Sequence, residues 1–163
     1  MKENIFTQLG QSIKELAIKL NSDKELNELL VNMSNDPLSN VKEKNFEPSF
    51  DFLNGTIRTV PRVKLEDIKT GIISVFPDYG TVDSENLDFS MLNIKIDIFL
   101  PFDSWQINNN CQRPYLIMSK ILEKVNLSRI TGIGQLIFED FSLNVVDDDI
   151  GVHEMRFSVD AIS

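Results

Sequence analysis

The chain has 163 residues, 42% of them hydrophobic, with 16 basic against 25 acidic side chains and a net charge of −9. A chain of that size suits one domain that buries a core without disulfides or metals. Its acidic balance argues against a basic groove that neutralises nucleic-acid phosphates. A lone cysteine, Cys111, and a lone histidine, His153, exclude an internal disulfide and the usual zinc ligand sets.

No apolar run approaches the ~20 residues of a membrane helix. The start, Met1-Lys2-Glu3-Asn4, lacks the basic-then-apolar order of a secretory signal, so a cytoplasmic origin is expected. Ile5, Leu9, Ile13, Leu16 and Leu20 follow helical spacing, and Phe6 and Ala17 widen the stripe, which predicts a helix over 3–20. Ser22-Asp23-Lys24-Glu25 has the form of a capping box for a short second helix with Leu26, Leu29 and Leu30 inward. Asn35-Asp36-Pro37 ends it.

Residues 38–68 form a long segment with Phe46, Phe50 and Phe52 around Pro48. Asn54-Gly55 suggests a hairpin between Phe50–Phe52 and Thr56–Arg58. The segment reads either as an extended arm for a neighbouring subunit or as an irregular lid over its own core. Thr70–Phe76 reads as a strand stopped by Pro77, and 78–90 as an acidic loop without calcium-loop spacing.

Next comes a strict alternation. Leu92, Ile94, Ile96 and Ile98 point one way, and Asn93, Lys95, Asp97 and Phe99 the other, until Pro101. After a loop with Trp105 and three asparagines, Pro114 opens a helix to about 126 with Ile117, Met118, Ile121, Leu122 and Val125 on one face. Gly132-Ile133-Gly134 leads into a strand carrying Leu136, Phe138, Phe141, Leu143 and Val145. The phase change before Phe141 predicts a bulge near Asp140. Asp147–Gly151 is a turn, and His153, Met155, Phe157 and Val159 face inward from the last strand. The fold class is therefore α+β. A mostly antiparallel sheet of four or more strands is expected, covered by the N-terminal helix and the 114–126 helix, in a single domain over 1–163.

No catalytic constellation emerges. Gly132-x-Gly134 lacks a third glycine and a following helix, and no Walker motif or nucleophile elbow is present. A Cys111–His153 pair is formally available, but nothing marks the third, orienting group. No catalytic residue, cofactor site or metal site is assigned. The residue types suited to protein contact are Phe102, Trp105, Arg113 and Tyr115, clustered around one loop and helix start, with Phe46 and Phe50 in the long segment. Trp105 and Arg113 equally suit a stacked pair that locks the loop inside the monomer.

Four features together resemble the tail-terminator or neck (head–tail joining) proteins of long-tailed bacteriophages. The first is an amphipathic N-terminal helix followed by Glu28-Leu29-Leu30 and Asn35-Asp36-Pro37-Leu38. The second is the Pro- and Phe-containing segment. The third is Ile94-x-Ile96-x-Ile98 leading through Trp105 to Arg113-Pro114-Tyr115 and a helix. The last is Gly132–Phe138 opening a closing hairpin. The resemblance implies a structural virion protein assembled in the host cytoplasm. It implies a homo-oligomeric ring, commonly a hexamer, that caps the tail tube, meets the head connector or adaptor, and passes genome DNA through its lumen without specific binding. It brings no catalytic residues, and the lack of a long apolar run leaves no membrane partner expected. A ring interface is head-to-tail, and residues 40–60 or 78–90 are expected to serve it. Competing readings are a head-completion adaptor or minor tail protein of the same assembly, and a small ligand-binding protein or enzyme.

Overall fold

The computed structural model describes residues 4–61, 63–130 and 133–160. It is an α+β fold. Helix α1 is Ile5–Asn21, α2 Lys24–Val31 and α3 Arg113–Val125. The strands are β1 Ile57–Arg58, β2 Ile72–Val82, β3 Phe89–Pro101, β4 Gln106–Ile107, β5 Cys111–Gln112, β6 Arg129–Ile130, β7 Gly134–Val145 and β8 Ile150–Asp160. Six of them form one sheet in the order β1-β2-β3-β8-β7-β6, and β4 and β5 make a small ribbon. Every pairing in the large sheet is antiparallel except β1 with β2. Gly132 and residues 1–3, on which part of the sequence reading rests, lie outside the described residues.

The three helices cover one sheet face. Leu9, Ile13, Leu16, Ala17 and Leu20 of α1 meet Leu26, Leu29 and Leu30 of α2 and Ile117, Ile121 and Val125 of α3. Beneath them lie Ile73, Val75, Ile94, Ile96, Ile98, Met155 and Phe157. The two-residue alternation on β3 and the three-to-four spacing on the helices therefore converge on one core, and burying these side chains drives the fold. A smaller cluster on the opposite face joins Ile72, Phe99, Ile150 and Val152 to Ile68 and Val63 of the long segment.

Several expectations are corrected by competing local bonds. Asp23, not Ser22, caps α2: its carboxylate accepts the Leu26 N–H at 3.0 Å, while the Ser22 hydroxyl donates back to the Ile18 carbonyl and ends α1. Phe6 leaves the α1 stripe and is 64% exposed. No hairpin forms at Asn54-Gly55. Asp51 Oδ1 accepts from the Leu53 and Asn54 N–H groups, which folds the segment into a tight turn. The chain then enters β1, which runs parallel to β2. Arg58 holds that turn by donating to the Gly55 and Asn54 carbonyls.

Pro77 does not stop β2, which runs on to Val82, and the expected 78–90 loop shrinks to a tip between Val82 and Phe89. The cause is position. β1 covers only Ile73 and Ser74, so from Val75 onward β2 is an edge strand, where a proline costs no ladder bond. The strand bulges between Pro77 and Tyr79. The bulge expected near Asp140 is present, between Phe138 and Asp140.

Among the described residues of 38–68, several pack on their own chain. Val41, Ile57 and Ile68 are buried, Phe52 packs on the main core, and Asn21 donates to the Ser49 carbonyl.

Gly134 opens β7 with a φ of +145°, and a Cβ there would run into the Asp160 carbonyl. Left-handed strain and backbone collision act together, so Gly134→Ala should cost about 2 kcal/mol, read from its urea midpoint.

Candidate subunit interface

Arg113 is the most constrained side chain of the six singled out by sequence. It is fully buried. Its Nε donates to the Ser104 carbonyl at 2.8 Å and its Nη1 to those of Leu29 at 2.7 Å and Asn32 at 2.8 Å. Its Nη2 donates to the Ser34 carbonyl at 2.6 Å. Leu29 lies in the last turn of α2, so the guanidinium closes that helix's C-terminal end, where the carbonyl dipoles favour a cation. Burial lowers its pKa from the ordinary arginine value. Arg113 thus ties the Asn32–Ser34 stretch to the Trp105 loop and to the start of α3. It is a scaffold residue, which corrects its expected place on a contact surface. Pro114 beside it is buried at the first turn of α3.

Trp105 is half-buried. Its ring lies 5.1 Å from Phe102 and 5.1 Å from His153, not over Arg113. The Tyr115 ring meets His153 edge-on at 5.4 Å. The Phe102 and Trp105 rings close over Gly151, where an added Cβ would come within 2.9 Å of Phe102 and 3.0 Å of Trp105. The structure therefore gathers Phe102, Trp105, Arg113 and Tyr115 as expected, but as a buckle on β8. Of the four, only Tyr115 is strongly exposed, at 47%. His153 is fully buried, neither ring nitrogen has a hydrogen-bond partner, and burial lowers its pKa. It is not placed to activate Cys111, whose thiol contacts the Asn109 carbonyl. Phe46 and Phe50 sit apart, in the long segment. Phe46 is half-buried, and Phe50 is exposed and packs edge-on against Phe52.

A row of exposed apolar side chains lies on β7. Phe141 stands opposite Met155, Leu143 opposite His153 and Val145 opposite Gly151, so all three share the helix-covered face. Their partners on β8 are buried, yet Phe141 is 53%, Leu143 43% and Val145 68% exposed. The helix layer ends before reaching them. On the outer side of β7, β6 covers only Gly134 and Gln135. Backbone bonds to Leu127 and Ser128 and the Asn126 side chain continue as far as Phe138. From Glu139 to Val145 no strand among the described residues lies beyond β7. An apolar row on an unpaired edge is a ready contact for another chain. The sequence marks these residues only as the apolar residues of the strand. The signal that they stay uncovered lies in the length of β7 relative to the helices, which periodicity does not carry.

Beyond its apolar cluster, the opposite sheet face carries ion pairs. Lys95 pairs with Glu154, and Arg156 pairs with Asp140 at 2.8 Å. Asp97 is 6% exposed, its Oδ1 has no hydrogen-bond partner, and desolvation raises its pKa to about 6 against the pull of Lys95. No group of three or more metal-binding side chains occurs among the described residues. The Asp147 side chain instead accepts the Asp149 and Ile150 N–H groups and shapes the β7–β8 turn. No helix among the described residues is long and apolar enough to cross a membrane.

A family model, YomW, matches residues 23–159. The chain belongs to the YomW family. That family is phage-like, in keeping with the coarser part of the resemblance drawn from the sequence. Among curated proteins none matches. The matched region of this YomW-family chain spans both halves of the Arg113 network and all but the last residue of the β7–β8 hairpin, and begins just after α1.

Proposed function

We propose that this chain is a structural protein of the phage neck. It forms a ring that ends the tail tube and joins it to the head connector. The observation that carries the reading is the uncovered apolar row Phe141, Leu143 and Val145 on the unpaired edge of β7, in a chain of a phage-like family. Such an edge is costly to leave in water and suits repeated contact between subunits. The role is assembly rather than catalysis, and its place is the virion.

Electron microscopy of particles lacking the protein tests this. Overlong tails without heads are the expected result. Tails of normal length beside empty or leaking heads would move the protein to the head-completion adaptors. Normal particles would overturn the reading.

A further inference from the structure

The two free edges of the sheet are unlike each other, and each lacks what the other has. At one end, β7 offers apolar side chains on the helix face with no helix above them. At the other end, β2 has no strand beyond it after Ser74 among the described residues, but α1 does lie over that edge. Between α1 and the edge runs an open groove of about 480 Å³, walled by Phe6, Leu9, Ile13, Lys14, Phe52 and Pro77. It is an apolar slot on the helix face, which is the face Phe141 and Leu143 present.

We propose that the β7 edge of one copy docks on the β2 edge of a second copy, with Phe141 and Leu143 beneath the second copy's α1. The proposal names the contact that the ring reading requires and rests on that reading. Strand direction agrees with it. β2, β3, β8 and β7 alternate in direction, so β7 meets the next copy's β2 antiparallel and the alternation continues from copy to copy. Charge agrees as well. Phe6 packs on Phe89, which pairs with Val82, so α1 begins near the C-terminal end of β2. An antiparallel β7 therefore points its acidic tip, Asp147–Asp149, toward the later half of α1. Lys14 and Lys19 lie there, and α1 carries net positive charge in an acidic chain. Side chains dominate the contact, because Pro77 and its bulge remove a backbone donor from the β2 edge. Joining two different edges makes a heterologous interface, which closes into a ring when the rotation allows.

The test uses full-length protein with Cys111→Ser as background, alone at high concentration and with tail tubes from particles that lack the protein. Gly10 lines the groove and has open space around its Cα, so Gly10→Cys is tolerated. A chain carrying both Gly10→Cys and Leu143→Cys should give a ladder of covalent multimers with a short thiol crosslinker. Each single variant should stay uncrosslinked, and a mixture of the two should stop at dimers. Phe141→Ser, at an exposed position, should leave melting unchanged and reduce the light-scattering mass to that of one chain. Oligomers without the mixed crosslink would overturn this contact and spare the ring reading. Dimers from Leu143→Cys alone would show a symmetric β7–β7 contact and overturn it too. A protein that stays monomeric with and without tubes sinks both. The ladder without tube association supports the contact and removes the neck.

Discussion

Replacing Arg113 with Met should destabilise the protein by about 4 kcal/mol, the range for removing a buried charge from its partners. Four carbonyls, those of Ser104, Leu29, Asn32 and Ser34, would lose their donor at once, and the bonds to Ser104 and Leu29 are buried. At the buried Ser104 and Leu29 carbonyls no water can replace it without opening the packing. At this chain length the melting temperature should fall by roughly 8–16 °C. Arg113→Lys should recover only part of the loss, because an ammonium is a point donor and cannot span carbonyls fixed around a planar fork. Arg156→Ala is the control. Arg156 is partly exposed on the sheet face and ion-paired with Asp140 and Glu154, and its loss should cost less than about 1 kcal/mol. Calorimetry of the three variants checks the order. A change below 1 kcal/mol for Arg113→Met would contradict the scaffold role and return this residue to the contact surface.

The largest expected gain is at Asp97. Its carboxyl is pushed up to about 6 from 3.8 by burial, so between those values the folded chain holds a proton that the unfolded chain releases. Stability from this group is complete below the unfolded pKa and declines as pH rises through the folded one. At pH 7 the ionised group is therefore a burden, about 3 kcal/mol as an upper figure for a shift of that size. Asp97→Asn removes the charge but keeps the shape, and it gives up the attraction to Lys95. The expected net gain is about 1–2 kcal/mol at pH 7 and none near pH 3.5, read from urea midpoints across pH. His153 works in the other direction. Burial holds its pKa below the ordinary value, so its stability is present above about 6.5 and fades as pH falls. The Asp97→Asn variant should thus show a plainer acid loss than the parent, whose two slopes oppose. A variant less stable than the parent at pH 7 would mean that the Lys95 pairing outweighs the desolvation.

Much of the fold was legible because periodicity reports burial directly. The alternation Ile94, Ile96, Ile98 could be satisfied only by a strand with one covered face, and Ile117, Ile121 and Val125 only by a helix lying on it. The bulge at Phe138–Asp140 was legible for the same reason, since a period-two pattern that slips by one residue needs an extra residue in the strand. The contact site was less legible. Residue type favoured Trp105 and Arg113, but an arginine buried against four carbonyls and one reaching for a partner look alike in sequence. The capping box was read one residue early, and Asp23 caps α2 where Ser22 was expected.

By itself, then, the sequence determined the class of elements, their order and their inward faces, because those follow from local spacing and side-chain chemistry. Tertiary structure alone decided which inward faces are covered. Phe141, Leu143 and Val145 have the same pattern as the core, yet α3 lies elsewhere and leaves them in water. Pro77 remains inside a strand because β1 is too short to flank it. Coverage depends on how far each layer extends over the next, and that is a property of the assembled layers rather than of any stretch of chain.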